Sequence, residues 1–477
     1  MSELKTAVPL CVDLDGTIIS SDVIWESLVR LLKRNPLYLI LVLIWWTRGR
    51  AYLKGQVAER VHLDVGSLPY NEPVLDFLLS QKRAGRTIIL ATASDSKPAQ
   101  QVANHLGLFD EVIASDRETN IRGKDKGALL AKRFGARGFD YAGNSMVDLA
   151  VWAQAREAIV VSGNPGLMAR AAERAPVVYT FGGPNTSVAF LKALRPHQWV
   201  KNLILFVPVL TAHMLLRPQI LQQAVLAFVA FSLCASGVYV LNDLLDIDAD
   251  RHHPTRRSRP FASGELPLPA GLVAFPLLFV ASAVLATRLP AGFGAVLGLY
   301  VMVTTSYSLR LKETPLLDVF CLAGLYTIRL IAGHEATGIR YSFWLLLFAM
   351  FIFLSLALVK RFTELISARQ QNRSDIKGRG YVASDLELVA TLGASSGYLA
   401  VLVLALYVNS LEVTKLYINP MWLLWICPLL LFWISRVWLL AHRGQMHDDP
   451  IIFAIKDRLS YLVGAITLLI LWLATGP

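Results

Sequence analysis

Cysteine is scarce in this chain, with four residues in 477, Cys11, Cys234, Cys321 and Cys427. They have no metal-ligand spacing and stand in apolar runs, which excludes a disulfide framework and leaves them as buried reduced thiols. Charge is sparse as well, at 17% of residues against 55% hydrophobic, and the mean hydropathy is +0.48. Length and composition together exclude one ordinary soluble domain, so much of the chain has to be buried in lipid. No apolar signal-like region precedes the first acidic motif in MSELKTAVPLCVDLDG, and the leading domain is therefore expected to remain cytoplasmic. The net charge of +11 does not imply nucleic acid, because the basic residues fall largely in loops between apolar segments, as the positive-inside rule requires.

The deficit of charge is uneven. Residues 1–183 mix charged and apolar positions as a soluble domain does, 184–194 read as a short Gly/Pro linker with an amphipathic lead-in, and 195–477 read as membrane protein. In the first part AVPLCV is a short apolar run ending abruptly in Asp13-Leu14-Asp15-Gly16-Thr17, the pattern of a buried strand delivering two carboxylates to one pocket. A second apolar strand ends at Thr92-Ala93-Ser94. Gly123-Lys124-Asp125-Lys126-Gly127 opens a helical pattern, and a further strand end carries Tyr141-Ala142-Gly143-Asn144-Ser145 ahead of Asp148. Strands alternating with helices predict a parallel α/β sheet with its site at the strand carboxyl ends. A carboxylate nucleophile, a second carboxylate, a hydroxyl, a lysine and metal-binding acids are the parts of phosphoryl transfer.

In that order and context DLDGT resembles the haloacid-dehalogenase-like superfamily, over roughly residues 8 to 180. The resemblance implies a Rossmann-like fold with a small helical cap at about residues 20 to 80. It implies Asp13 as nucleophile, Asp15 as acid/base, Thr92 and Lys126 on phosphate oxygens, and magnesium held by Asp13, Asp15, Asn144 and Asp148. Lys124 competes with Lys126, which is favoured by the Lys-Gly that opens an apolar helix in the phosphoserine-phosphatase-like pattern. Asn144 stands where many members carry a metal-binding Asp. Between the first two motifs, LYLILVLIWW is strongly apolar yet too short to span a bilayer. Flanked by Lys33, Arg34, Arg48 and Arg50, it suits either a segment dipping into the membrane interface or a buried cap helix.

After Arg195 about nine segments are long and apolar enough to span, near 199–216, 220–241, 268–287, 291–308, 316–333, 341–359, 386–408, 421–441 and 452–475, an all-α membrane domain. Alternate loops differ sharply in charge. One set carries Arg251, Arg256, Arg257, Arg259, Arg310, Lys312, Lys360, Arg361, Arg369, Arg373, Lys377, Arg379, Arg443, Lys456 and Arg458. The other carries only Arg217, Arg288, Arg340 and Lys415. The basic set marks the cytoplasmic face, in agreement with a cytoplasmic leading domain. The first basic loop opens with Asn242-Asp243-Leu244-Leu245-Asp246-Ile247-Asp248-Ala249-Asp250. Continued as a helix at about 100° per residue, Asp243, Asp246 and Asp250 share a face. Such a cluster at a membrane surface needs a cation, and oxygen ligands suit magnesium bridging a diphosphate. Arg256, Arg257 and Arg259 follow beside the acids, as phosphate binding requires.

NDxxDxxxD followed by RPxxSG resembles the UbiA-type prenyltransferases, over roughly residues 190 to 475. Aromatic prenyltransferases of that superfamily carry a second Asp-rich motif in the loop after the sixth span. Here that loop reads Lys360-Arg361-Phe362-Thr363-Glu364-Leu365 and runs on to Gly380-Tyr381 without matching acids. With Arg195-Pro196-His197-Gln198-Trp199-Val200-Lys201-Asn202 and Tyr307-Ser308-Leu309-Arg310-Leu311-Lys312 ahead of Asp318, the chain is similar to the decaprenyl-phosphate phosphoribosyltransferase branch. The resemblance implies transfer of phosphoribose from phosphoribosyl diphosphate to a polyprenyl phosphate in a bacterial-type inner membrane, with the fused domain removing the 5-phosphate. An anionic acceptor wants cations such as Lys201, Lys312, Lys360 or Arg361. Asp318 and Arg329 lie about 16 Å apart on nearly one face of the fifth span, and an arginine that deep is functional or paired. Substrate contacts are also expected from Asn202, Asn242, Glu364 and Tyr381. In the carboxyl-terminal loop Asp448, Asp449, Asp457 and Arg458 either join the site or line its rim. The alternative is an aromatic or other prenyltransferase using a polyprenyl diphosphate, with a regulatory soluble domain; chain length of the lipid and oligomeric state are not encoded.

Overall fold

The structure is a computed structural model, and it describes residues 8–116, 119–371, 379–410, 413, 416–446 and 449–476. Arg373, Lys377, Lys415 and Asp448 of the expectations above lie outside the described residues. The chain divides into two compact units. One comprises Met1–Leu194 and Tyr239–Phe275, the other Arg195–Val238 and Pro276–Pro477. The acid-rich segment thus clusters with the leading domain rather than with the remaining apolar helices.

In the first unit the short apolar runs form a six-stranded parallel sheet in the order β3-β2-β1-β4-β5-β6. The strands are β1 Leu10–Val12, β2 Ile88–Asp95, β3 Glu111–Ser115, β4 Asp140–Gly143, β5 Ala158–Val161 and β6 Val177–Phe181. The central strand β1 is apolar at every position because helices cover both faces. One face buries Leu10, Val12, Ile88 and Leu90 with Val74 and Leu78. The other buries Cys11, Ile89, Tyr141 and Val160 with Leu130 and Trp152. The chain runs outward from β1 to β3 and then crosses to β4, so a crevice opens beyond the carboxyl ends of β1 and β4. Residue 16 has to be glycine there. Its φ is +74°, and a Cβ would lie 2.0 Å from Asn144 Nδ2.

Of the four α-helices between β1 and β2, the first three are α1 Val23–Arg34, α2 Tyr38–Thr47 and α3 Arg50–Arg60. They share a small cluster of their own, Leu28, Leu31, Trp45 and Val57. The helix Glu72–Arg83, by contrast, packs Val74 and Leu78 into the sheet's core. Of the two readings of LYLILVLIWW, the buried cap helix is excluded, because Trp45 alone of α2 is buried. Residues 186–194, expected as a lead-in to the membrane, form a helix whose Ala189 and Ala193 are buried in the first unit.

Seven helices among the described residues are long and apolar enough to cross a membrane, from Pro218–Leu245 to Pro420–His442. Of the nine expected segments, the first and the last are not single helices of that length. The segment near 199–216 is a 3-10 stretch, Pro196–Phe206, followed by the short helix Val207–Thr211. Pro208, inside the expected segment, removes a backbone donor, which breaks a continuous α-helical ladder. The segment near 452–475 divides into Pro450–Lys456 and Arg458–Ala474, the second 17 residues long. Asp457 divides them by capping the second helix through Ser460 N, while a two-bond pair with Arg436 holds it in place.

Candidate functional site

Within the first unit the crevice gathers the acids that follow β1. Lys126 Nζ donates to Asp13 Oδ1 at 2.8 Å and to the Tyr141 hydroxyl at 2.9 Å, and that hydroxyl donates to Asp148 Oδ1 at 3.0 Å. Lys126 is 3% exposed whereas Lys124 faces solvent, so the two lysines are told apart by burial. Asp15 accepts the Val23 N–H at 2.8 Å and the Ser94 hydroxyl at 2.6 Å, with the Thr92 hydroxyl at 3.5 Å. Asp148 organises the loop after β4, its Oδ2 accepting the N–H groups of Asn144 and Ser145 and the Ser145 hydroxyl. Both of its oxygens are engaged, which places it behind the pocket rather than as a direct ligand. Asn144 reaches the pocket beside Gly16.

Burial pushes the carboxyl of Asp13 up to about 7, against the lowering charge of Lys126. Burial pushes Asp15 up to about 7 as well, assisted by the charge of Asp22. The two raised carboxyls, Asp13 buried and Asp15 half-buried, fit a divalent cation held by Asp13 and Asp15 with the Asn144 amide. Sequence reasoning missed two members of this pocket. Asp22 caps α1, and burial raises its carboxyl also. Lys54, on α3, donates to the Ala93 carbonyl at 2.5 Å. Neither stands in a recognisable motif, since both arrive from the helices inserted after β1.

The acid-rich segment is the second constellation of this unit. The helix breaks at Asp246, after which Ile247–Arg251 forms a separate turn. Backbone bonding nonetheless continues across it, Asp246 N–H donating to the Asn242 carbonyl and Asp250 N–H to the Asp246 carbonyl, both at 2.8 Å. Asp243 and Asp250, 2% and 1% exposed, converge on one guanidinium. Arg259 Nη1 lies 3.1 Å from Asp243 Oδ1 and 2.6 Å from Asp250 Oδ2. Asp250 Oδ1 is buried with no hydrogen-bond partner. Among the described residues no three His, Cys, Asp or Glu side chains converge as a metal cage. Two buried carboxylates sharing one arginine still fit a cation that takes its other ligands from a substrate's phosphates, as magnesium commonly does. Asn242 and Asp246 are half-buried, while Arg256 and Arg257 are exposed on the same loop.

This loop is fastened to α1 by buried charge. Arg251 donates to both oxygens of Glu26, at 3.0 and 2.6 Å, and Arg30 bonds Glu26 at 2.7 Å and Asp248 at 2.5 Å. Burial opposes the ionised form of Glu26, but the hydrogen bonds and charges of Arg251 and Arg30 outweigh it and hold the carboxyl below its ordinary value. Beside the network Gly264 adopts φ +77°, and a Cβ there would lie 2.6 Å from Ser20 Cβ. The glycine of RPFASG is what lets the loop close on the segment after β1. No sequence signal identified this pairing, because Glu26 and Arg251 are separated by 225 positions.

In the second unit the expected residues fall into separate networks. Arg329 donates to the Asn202 side-chain oxygen at 2.8 Å and to the Leu325 carbonyl, and its guanidinium lies 5.0 Å from the Tyr300 ring centroid. Asp318 does not join it. That carboxylate bonds Arg361 and accepts the Tyr381 hydroxyl at 2.6 Å, and Arg361 bonds Glu364 in turn. Asp318 and Arg361 are wholly buried. Lys201 and Lys360 meet at Asp449 Oδ2, at 2.9 and 3.5 Å, with the Tyr326 hydroxyl at 3.3 Å from Oδ1. Lys312 sits apart on the 3-10 turn Leu311–Glu313.

Long apolar helices and an acid- and arginine-rich loop define an integral membrane protein with the means to hold phosphates. The profile of the UbiA prenyltransferase family matches residues 205–461, and the chain belongs to that family of transferases. It is 35% identical to the uncharacterized protein y4nM of Sinorhizobium fredii, over 96% of this chain and 89% of that one. Nodulation protein NoeC of Azorhizobium caulinodans is 37% identical, over 61% of this chain and 92% of its own. Decaprenyl-phosphate phosphoribosyltransferase of Mycolicibacterium smegmatis is 36% identical, over 46% of this chain and 70% of its own.

Two predictions follow from the charge balance. Arg259→Ala leaves Asp250 buried without its cation and is expected to cost about 3 kcal/mol, read as a lower thermal midpoint that magnesium restores. For Asp13 and Asp15 the folded state binds protons more tightly than the unfolded one. Their contribution to stability is therefore full below the ordinary carboxylate range and lost as pH rises toward about 7. A thermal-melting series in chelator should show the midpoint falling over that window, and Asp13→Asn with Asp15→Asn should flatten it.

Proposed function

We propose that the chain joins 5-phosphoribosyl diphosphate to a polyprenyl phosphate, releasing diphosphate and leaving polyprenyl-phosphoryl-5-phosphoribose. The observation that carries this reading is the pair of buried carboxylates, Asp243 and Asp250, sharing Arg259 with one carboxylate oxygen unsatisfied. Two carboxylates on one guanidinium leave room for a further cation, and Arg256 and Arg257 on the same loop are suited to the oxygens of a diphosphate. The absence of a second acid-rich motif, and the likeness to a protein named decaprenyl-phosphate phosphoribosyltransferase, favour an anionic acceptor over an aromatic one.

Asp243, Asp250 and Asp246 would hold magnesium, which when bound neutralises the diphosphate leaving group. Arg256, Arg257 and Arg259 bind its oxygens and stabilise the charge that develops on them. An oxygen of the lipid phosphate forms the new bond to the anomeric carbon while the bond to diphosphate breaks, and the electron pair departs with diphosphate. Lys201 and Lys360 are cations of the membrane unit suited to the acceptor's phosphate.

The leading domain is proposed to be a cytoplasmic haloacid-dehalogenase-like phosphatase that removes the 5-phosphate. Asp13 attacks phosphorus, Asp15 protonates the departing ribose oxygen, and water then releases phosphate from the acyl phosphate. Lys126 steadies Asp13 and the phosphate oxygens, and Thr92 and Ser94 orient Asp15 and the ester.

The test is product analysis by mass spectrometry after the full chain is given polyprenyl phosphate, magnesium and phosphoribosyl diphosphate. Wild type should yield the dephosphorylated ribosyl lipid and Asp13→Asn the phosphorylated one. Asp250→Asn should lower transfer by at least about a hundredfold. Consumption of a prenyl diphosphate with no phosphoribose incorporated would replace this reading with the aromatic prenyltransferase one.

A further inference from the structure

Helix α2 is apolar almost all round and barely covered. Leu37, Ile40 and Trp46 are 69%, 60% and 59% exposed, and Leu39, Leu41, Leu43 and Ile44 are exposed with them. At about 100° per residue these positions sweep roughly two-thirds of the helix circumference, where a protein groove would take one stripe. The helix is firmly held on its remaining face. Trp45 packs with Leu28, Leu31 and Val57, and the Arg60 guanidinium lies 4.8 Å from the Trp45 ring centroid. It is therefore a fixed protrusion of the domain.

Its chemistry commits it to one occupant. At about 15 Å it is half the thickness of a hydrocarbon core and cannot span. Exposed Lys33 and Arg34 precede it, exposed Arg48 and Arg50 follow it, and no acidic residue occurs from position 27 to 58. Trp46, at the carboxyl end and exposed, has the placement of an interfacial aromatic. An apolar body with basic ends at both termini matches acyl chains flanked by anionic headgroups.

We propose that α2 lies in the interfacial layer of an anionic bilayer, with its apolar side chains among the acyl chains and its four basic residues on lipid phosphates. Docking of α2 fixes α3 at the lipid surface, and α3 is the helix whose Lys54 reaches the Ala93 carbonyl at the edge of the pocket. The pocket then receives lipid-borne phosphate esters in preference to soluble ones. That consequence rests on the phosphatase reading above, whereas the docking does not.

The test is spin-label depth measurement on the full chain in nanodiscs containing phosphatidylglycerol, with Cys321 and Cys427 replaced by alanine. Labels at Ile40→Cys and Ile44→Cys should be accessible to oxygen and shielded from a water-soluble nickel complex. A label at Leu79→Cys, on the exposed side of Glu72–Arg83, should show the opposite. Arg48→Glu with Arg50→Glu should return the Ile40 label to nickel accessibility. An Ile40 label as nickel-accessible as the Leu79 label overturns the docking, and so does one shielded from both reagents, which would mean a protein partner. In the same discs, Ile40→Asp with Ile44→Asp should lose hydrolysis of a polyprenyl phosphoribose and keep hydrolysis of p-nitrophenyl phosphate. Equal loss on both substrates overturns the lipid preference. Hydrolysis of neither by wild type overturns the phosphatase reading alone, and the labels still decide the docking.

Discussion

Carboxylates taken out of water must be met by cations, and this constraint shapes every part of the protein that bears on chemistry. Asp13 is met by Lys126, Asp243 and Asp250 by Arg259, and Glu26 by Arg251 and Arg30. The compensation differs in kind. Glu26 is over-matched by two arginines and held below its ordinary value, so it is a fixed anchor. Asp13 and Asp15 are under-matched and raised by burial. Asp250 is under-matched also, with burial raising its carboxyl against the pull of Arg259 and one oxygen left unsatisfied. Sites short of positive charge are where a metal and a phosphate ester lower the free energy most.

The first turns of α1 connect the two under-matched sites inside one compact unit. At its start Asp22 and the Val23 N–H border the pocket, the latter bonded to Asp15. One turn later Glu26 grips Arg251, next in sequence to Asp250. A helix of twelve residues whose N-cap and first turn serve different acid clusters is a short mechanical path between them. It gives a physical reason for the leading α/β domain to be fused to a membrane transferase, beyond the raised local concentration that tethering provides.

The sequence was informative where chemistry depends on short-range spacing. Strands ending in acids, the threonine and serine near the end of β2, and the acid- and arginine-rich loop could all be read, because strand periodicity and motif spacing act over a few residues. Long-range pairing could not. The segment that opened as a span near 199 failed at Pro208, which interrupts its helical ladder. Glu26 with Arg251, Lys54 with the pocket, and Asp318 with Arg361 rather than Arg329 join elements far apart in sequence, and no local pattern carries that information. The exposure of α2 was equally hidden, since an apolar run reads the same whether it is covered by protein or by lipid.

A charge swap between Glu26 and Arg251 tests the account most directly. Glu26→Arg and Arg251→Glu should each lower the thermal midpoint of the full chain and weaken magnesium-dependent stabilisation by diphosphate, and the double variant should recover most of both. Additive loss in the double variant, or single variants that melt and bind as wild type does, would contradict the claim that buried charge holds the acid-rich loop on the leading domain.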